Sequence, residues 1–300
     1  MKIDSIHSLL IFMHVAQAQS FAGAALRLGI TPSGASKAVS RLEAKLGLRL
    51  FQRTTRHLQL TEDGTALLEN CRDLFFQLEH AEEKLANRKG KPAGRLLLRM
   101  PVAFGRIVIA PLLNELLETH PDLVIDIHLN DVRNDVVDDD FDVLIRIGSV
   151  PQSRLVARKL YDMHYVTVAS PGYVKRHGKP NRPEDLSAHH CLAYFEPLAR
   201  TYRPWDFSAN GRGSSVTVPG SLNINNAEAL LDAAVRGEGI ATVARFIAAE
   251  ALRLGKVTQL LPGYARPSLP IYLLYPERRY RSPRVHTLVE FLLSRVSAVD

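Results

Sequence analysis

Cysteine is scarce. Cys71 and Cys191 are the only two in 300 residues, which excludes a disulfide framework and supplies no cluster of metal-ligating thiols. The pair suits a reducing compartment. Long apolar runs are missing too: no stretch approaches the roughly 18 apolar residues that cross a bilayer. The opening Met1-Lys2-Ile3-Asp4-Ser5 leads into an amphipathic helix rather than the apolar centre of a secretory signal. A cytoplasmic protein without a membrane partner is therefore expected.

Signatures of catalysis are equally absent. The sequence holds no G-x-S-x-G nucleophile elbow, no P-loop, no G-x-G-x-x-G after a strand and no H-E-x-x-H. No catalytic residue, cofactor or metal is expected, and the chain reads as a non-enzyme. Two local features have two readings each. His189-His190-Cys191 is either a structural loop or a zinc site, although consecutive ligands rarely converge on one ion. Asp138-Asp139-Asp140 is a solvated turn or helix end, or a magnesium site. Gly211 and Gly213 beside Asn210 make a hairpin turn.

Acidic residues nearly vanish from the first sixty positions. There Asp4 and Glu43 face eight cations, Lys2, Arg27, Lys37, Arg41, Lys45, Arg49, Arg53 and Arg56, a net +6 of the chain's formal +7. One small basic unit joined to a nearly balanced body is the distribution that phosphate binding uses. A basic surface kept for solubility is the plainer alternative. With 46% hydrophobic residues the chain can bury a real core, and its length suits two or three globular units at about 150 residues each.

The basic unit reads as three helices. Between 5 and 19, Leu9, Phe12, Met13 and Ala16 recur three and four apart, one buried helical face. Ser20 is a good N-cap for a second helix with Phe21, Ala24, Ala25 and Leu28 inward, stopped at Gly29. Thr31 caps a third, with Pro32 at its first position, where the missing N–H costs nothing; Gly47 ends it after Leu46. Ala35, Val39, Leu42 and Leu46 form its apolar face, and Ser33, Ser36, Lys37 and Ser40 the opposite one. Small hydroxyls and a lysine let a helix sit deep in a groove and still offer donors to base edges and phosphates. A short helix, a glycine turn and a longer helix match helix-turn-helix spacing.

From Arg49 to Leu60 two alternating stretches flank a polar centre, a small hairpin with Arg53 and Arg56 near its tip. This is a wing, placed for phosphate or minor-groove contact. Thr61-Glu62-Asp63-Gly64 then caps a helix from 62 to about 87, some 39 Å long at the α-helical rise. Its positions Leu67, Cys71, Leu74, Leu78, Ala81 and Leu85 step alternately by four and three, a heptad seam that reads as a dimerisation helix. Asn87 to Gly94 loses the periodicity and gains Gly, Pro and charge, as a hinge does.

These residues resemble the LysR-type transcriptional regulators. The pattern is Leu9-x-x-Phe12, Ser20-Phe21-x-x-Ala24-Ala25-x-x-Leu28, then Thr31-Pro32-Ser33-x-x-Ser36-Lys37-x-Val39-x-x-Leu42-Glu43. It continues through Leu46-Gly47-x-x-Leu50-Phe51-x-Arg53 to Leu60-Thr61-x-x-Gly64. The resemblance implies that Thr31, Ser33, Ser36, Lys37, Ser40 and Arg41 serve double-stranded DNA from the recognition helix, with Arg53, Thr54 and Arg56 on the wing. Lys37 stands where many members carry Arg, which removes bidentate guanine reading there.

Residues 95 to 300 alternate strands and helices: Leu96–Met100, a helix near Phe104–Thr119, Val124–Leu129, Asp142–Ile147, Tyr165–Ser170, Asn226–Arg236 and Ile240–Val243. Alternation of this kind argues for α/β architecture with largely parallel sheets. The fold class expected is thus α+β and multi-domain: a winged helix-turn-helix over 1–61, a dimerisation helix and hinge over 62–94, and a two-lobed periplasmic-binding-protein-like unit over 95–300. The resemblance adds that the chain crosses between lobes near 163 and 268. The first lobe then spans about 95–163 and 268–300, closed by Ile271–Tyr275, and the second about 164–267.

The resemblance also implies that a small-molecule effector sits between the lobes. The candidates are Val102, Ala103 and Phe104 in the turn after Pro101, Arg146, Gly148, Phe195, Glu196, Asn223, Asn225 and Thr242. Val102 and Ala103 replace the Ser or Thr common in the family, which weakens the case for a carboxylate at that turn. Arg146 either grips an anion or pairs with a structural neighbour. The expected partners are an operator with an inverted repeat, a second copy of the chain in a dimer or tetramer, and the effector. A cytoplasmic enzyme with an appended DNA-binding domain would need a catalytic cluster. A pure binding protein would leave residues 20 to 60 without a role.

Overall fold

A computed structural model describes residues 6–53, 58–86, 91–131, 141–150, 155–196, 200–209, 212–217, 220, 222–264, 266–280 and 282–296. The chain divides into two compact units, Met1–Gly90 and Lys91–Asp300.

In the first unit, α1 (Ile6–Ala18), α2 (Phe21–Leu28) and α3 (Pro32–Leu46) precede the antiparallel strands β1 (Phe51–Arg53) and β2 (Leu58–Leu60), and α4 (Glu62–Ala86) follows. The helix ends are set by the residues that the sequence marks. Ser20 Oγ accepts from Gly23 N (3.2 Å) and Thr31 Oγ1 from Gly34 N (3.1 Å). Gly29 and Gly47 end α2 and α3 with φ of 65° and 72°, a left-handed cap that other residues adopt at a cost. Buried Ala24, Ala25 and Ala35 let the helices approach closely, and Leu9, Phe12, Val15, Val39, Leu42, Leu50 and Phe51 fill the centre. Phe51 meets Phe12 and Phe21 at 5.5 and 6.0 Å between ring centres.

Two polar contacts join α3, the wing and α4. Glu43 Oε1 accepts from the backbone N–H groups of Leu50 (2.8 Å) and Phe51 (3.2 Å), so the end of α3 fixes the entry to β1. Thr61 Oγ1 donates to Arg49 O (2.6 Å) and accepts from Gly64 N (2.9 Å). At Gly64 the first turn of α4 runs so close to β1 that a Cβ would lie 2.1 Å from Leu50 O.

The single-seam reading of α4 needs correction. Leu67, Leu68, Cys71 and Phe75 pack into the core of their own unit, and Cys71 is only 2% exposed. Leu74 and Leu78 are 45% and 44% exposed, and Ala81 is exposed. The helix lies against the winged-helix core over its first turns, so the 4-3 spacing serves an intrachain contact first and leaves a free stripe only beyond it. The side chain of Leu85 is outside the described residues.

The second unit holds two sheets. The first contains β3 (Gly94–Met100), β4 (Leu123–Leu129), β5 (Val143–Ile147) and β6 (Leu155–Met163); its helices are α5 (Val102–Phe104) and α6 (Ala110–Thr119), joined by a π-helical turn over Gly105–Ile109. The second contains β7 (Tyr165–Ala169), β8 (Cys191–Glu196), β9 (Thr201–Tyr202), β12 (Asn223–Ile224), β13 (Ile240–Ala244) and β14 (Thr258–Leu260). A separate hairpin pairs β10 (Trp205–Ala209) with β11 (Arg212–Val216). Helices α7 (Pro171–His177), α8 (Ala227–Val235) and α9 (Arg245–Arg253) accompany this part, before β15 (Leu269–Pro276), α10 (Glu277–Tyr280) and α11 (Pro283–Val296). The strand orders are β4-β3-β5-β15-β6 and β12-β8-β13-β7-β14, with β9 on β8.

Neither sheet is largely parallel, contrary to the sequence expectation. In the first, β3 is parallel to β4 and β5, but β15 is antiparallel to β5 and β6. In the second, β8 is parallel to β12 and β13, while β7 is antiparallel to β13 and β14. Parallel neighbours require a crossover segment, usually a helix. The strands that carry the chain between the sheets lack one: β6 passes to β7 through His164 alone, and β15 returns from β14 without a helix. The π-helical turn is a second local departure. Pro111 has no N–H to continue an α-helical ladder, and Ala110 N–H instead reaches back to Gly105 O.

The Asn210 and Gly211 of the hairpin reading and the Asp138-Asp139-Asp140 run lie outside the described residues, whereas Gly213 is within β11. His189 sits against Tyr173, its Nδ1 3.2 Å from the phenol oxygen. No group of three or more His, Cys, Asp or Glu able to hold a metal occurs among the described residues.

Candidate nucleic-acid interface and ligand cavity

The recognition-helix candidates share one surface. Thr31, Ser33, Lys37, Ser40 and Arg41 are exposed and Ser36 is half-buried, while Ala35, Val39 and Leu42 on the opposite face of α3 are buried. Burying the apolar face against α1 and α2 fixes the rotation of α3 about its axis, and so forces the hydroxyls and cations outward. Thr31 Oγ1 and Ser33 Oγ lie 3.2 Å apart, drawing the cap hydroxyl and the first face hydroxyl together. Arg53 ends β1; its side chain, like Thr54 and Arg56, is outside the described residues.

A cavity of about 340 Å³ opens between the two sheets of the second unit. Four of the sequence candidates line it: Ala103, Phe104, Arg146 and Thr242. Phe104 stacks edge-on against Phe246 at 5.5 Å, and the Thr242 hydroxyl is 3.2 Å from that of Thr167. Arg146 Nε donates to Ser149 O at 3.1 Å, a structural contact. The other candidates do not line it. Val102 N–H donates to Asp131 Oδ1 at 2.9 Å. Gly148 N–H donates to Pro270 O at 2.8 Å. Phe195 packs on Tyr202, and Glu196 accepts two bonds from Arg203 at 2.6 and 3.1 Å. Asn223 Nδ2 donates to Gly220 O, and Asn225 is exposed.

Sequence reasoning missed most of the polar lining. Arg99, His128, Asp131, Tyr165, Tyr194, Arg203 and Arg266 all face the cavity. Arg203 lies over the Tyr194 ring at 4.5 Å and Arg266 over the Tyr165 ring at 4.4 Å. Burial works against the charge on Arg203, but Glu196, Tyr165 and Tyr194 outweigh it and raise its pKa. For Arg266 burial prevails and its pKa falls. Tyr194 is pushed up by burial first and by the Asp131 carboxylate second. The only sequence signal for these groups is cations set among aromatics, in Tyr202-Arg203-Pro204-Trp205 and Tyr264-Ala265-Arg266.

A winged helix with an outward hydroxyl and lysine face, and a separate two-sheet unit around a cavity, define a DNA-binding protein that carries a ligand-binding body. Residues 6–65 match the family described as bacterial regulatory helix-turn-helix protein, lysR family, and residues 89–297 match the LysR substrate binding domain. The chain is 31% identical over 290 residues to the uncharacterized HTH-type transcriptional regulator YhjC of Escherichia coli K12, covering 97% of each protein. It is similar in structure to the full-length Vibrio cholerae virulence activator AphB, with a TM-score of 0.66, 25% identity and coverage of 97% and 99%. It is also similar to CrgA, a LysR-type transcriptional regulator from Neisseria meningitidis, with a TM-score of 0.63, 26% identity and coverage of 98% and 99%. The chain belongs to the LysR family of bacterial transcriptional regulators. It combines a helix-turn-helix for DNA with an effector-binding domain.

Proposed function

We propose that the chain works in the cytoplasm as a homodimer or tetramer that reads an inverted-repeat operator and does no catalysis of its own. One observation carries the reading: α3 buries Ala35, Val39 and Leu42 and leaves Ser33, Lys37, Ser40 and Arg41 to solvent. Ser36 and Thr31 complete the base- and phosphate-facing set, with Arg53, Thr54 and Arg56 reaching the backbone from the wing. Two recognition helices from paired chains enter successive major grooves about 34 Å apart. The exposed Leu74, Leu78 and Ala81 stripe supports pairing through α4. No helix among the described residues is long and apolar enough to cross a membrane.

The cavity receives the effector through Ala103, Phe104, Arg146 and Thr242, while Val102, Gly148, Phe195, Glu196, Asn223 and Asn225 shape its surroundings. A ligand that binds one arrangement of the two sheets more tightly than another shifts their population, and with it the spacing of the DNA-binding pairs. The test is binding of the purified chain to its own upstream intergenic DNA, with random DNA as control, across a salt series. A specific, cooperative shift at physiological salt is expected. Binding that stays sequence-blind with and without cell-extract small molecules would overturn the operator reading.

A further inference from the structure

His189 and His190 meet a third histidine in the fold, His177 at the end of α7, and the phenol of Tyr173 lies among them. Tyr173 is 1% exposed. The His177 ring stacks on it at 4.6 Å between ring centres, the His189 ring tilts against it at 6.0 Å, and His190 meets His177 edge-on at 5.7 Å. Three imidazoles, the side chains whose charge changes in mild acid, thus surround one buried hydroxyl.

That hydroxyl fixes the protonation state of one of them. Tyr173 Oη accepts from the His190 backbone N–H at 2.9 Å and lies 3.2 Å from His189 Nδ1. Burial pushes the phenol pKa up, against the opposing effect of the His190 N–H bond, so Tyr173 keeps its hydrogen. Among the described residues that hydrogen has one acceptor in reach, the bare Nδ1 of a neutral His189. An imidazolium carries hydrogen on both nitrogens, so protonation would set N–H against O–H and leave a buried donor unsatisfied.

The surroundings act in the same direction. Burial first, then the neighbouring His177, lower the His189 pKa; Asp185 opposes them and His190 adds to them. Asp185 is already engaged by the backbone N–H groups of Asn181 and Arg182 and by Arg182 Nε, which hold its own pKa down and keep it ionised through mild acid. Glu184 beside it is exposed. Of the other cations on α7, Lys175 is exposed and Arg176 donates to Gly237 O at 3.0 Å.

The cluster ties several elements together. His190 is held from both sides, its N–H by Tyr173 and its carbonyl by the N–H of Ile240 at 2.8 Å, where β13 begins. His189 N–H donates to Leu186 O at 3.1 Å, within the 3₁₀ turn Pro183–Ala188. Tyr173, Leu186, Cys191, Trp205 and Ile240 share one buried core. From it β8 and β13 run on to place Tyr194 and Thr242 in the cavity wall.

We propose that Tyr173, His189 and His177 form an acid-sensitive latch on the second sheet, which holds α7 to the start of β8 while His189 is neutral and releases it when His189 takes up a proton. The sign follows from linkage. The His189 pKa is lower in the folded chain than the ordinary imidazole value of about 6.5. Its stabilising contribution is therefore whole above that value and is lost as the pH falls below it towards the folded pKa.

The test is labelling of the full chain with 4,4′-dithiodipyridine, the two cysteines being separated by peptide mass mapping. Cys191 is 4% exposed, donates Sγ–H to Leu186 O at 3.6 Å and belongs to the same core as Tyr173. Cys71 is buried in the other unit and serves as the internal control. Between pH about 7.5 and about 5.5 the ratio of Cys191 to Cys71 labelling should rise about fivefold or more. His189→Gln keeps an acceptor for the phenol but does not titrate, and should hold the ratio flat. Tyr173→Phe removes the hydroxyl that protonation orphans; it should raise the ratio at pH about 7.5 and take away most of the rise in acid. If His189→Gln misfolds, Tyr173→Phe and the ring ¹⁵N spectrum of the native chain, in which His189 should be the Nε2–H tautomer at pH about 7.5, carry the test. A flat ratio in the native chain, equal gains at Cys71 and Cys191, or a rise that survives both substitutions would overturn the latch, as would His189 protonated on Nδ1 at pH about 7.5.

Discussion

Gly64→Ala should destabilise the winged-helix unit, although the same change in an ordinary helix does the reverse. Where Ala fits, replacing Gly gains about 0.4–1 kcal/mol by narrowing the unfolded ensemble. At Gly64 the new Cβ would stand 2.1 Å from Leu50 O and 3.0 Å from Leu60 Cδ2. A carbon meets a carbonyl oxygen comfortably at about 3.3 Å, so α4 has to retreat from β1 by about an ångström. That retreat stretches Thr61 N–H to Leu50 O, now 3.0 Å, and Thr61 Oγ1–H to Arg49 O, now 2.6 Å. Two such bonds contribute about 1 kcal/mol each, and overpacking costs about 1–3 kcal/mol. The net loss is about 2–4 kcal/mol, the sum of these terms less the backbone gain.

For a unit of this size, each kcal/mol lowers the midpoint by about 4–8 °C, so a fall of about 8–32 °C is expected. Far-UV circular dichroism reads the helices of both units, those of the first among them. The sole tryptophan, Trp205, is 2% exposed in the second unit and reports that unit by fluorescence. The dichroism transition should move down, and comparison with the fluorescence transition locates the effect. A dichroism midpoint that is unchanged within about 2 °C, or raised, would refute the close-approach argument.

Lys37→Ala should weaken operator binding and make its salt dependence shallower by about one unit of slope, read by titration at several salt concentrations; an unchanged slope takes the phosphate or base contact away from Lys37. Leu78→Asp places a charge in the exposed stripe of α4 and should dissociate the oligomer. A variant that elutes like the native protein in sizing chromatography would show that the stripe is not the interface. Burial pushes the thiol of Cys71 up to about 11 and that of Cys191 up to about 12. A raised thiol pKa means less thiolate at every pH below it. Both should therefore resist a disulfide reagent at pH about 8 and react only when denaturant opens the chain. Prompt reaction of either in the native protein would contradict its burial.

The first unit is legible in sequence because its contacts are local. Ser20, Gly29, Thr31, Pro32 and Gly47 set helix ends through bonds spanning three or four residues, and the structure finds α2 and α3 at those boundaries. Residues that look merely like family signature acquire physical duties. Glu43 holds the N–H groups of Leu50 and Phe51, and Thr61 with Gly64 docks α4 on the wing. The buried strand β13 is equally plain, an unbroken buried run from Ile240 to Ala244. What periodicity on α4 could not tell was which neighbour the seam serves. A 4-3 spacing records only that one face is covered, and Cys71 is covered by its own chain.

The cavity is illegible for the opposite reason. Its polar wall is assembled from positions as far apart as Arg99 and Arg266, and no spacing rule connects residues brought together by sheet pairing. Resemblance found the turn at Val102–Phe104 but not the missing hydroxyls' replacement. Asp131, from the end of the neighbouring strand β4, holds the Val102 N–H instead. A carboxylate resident at that turn satisfies the backbone donor and reverses the local charge.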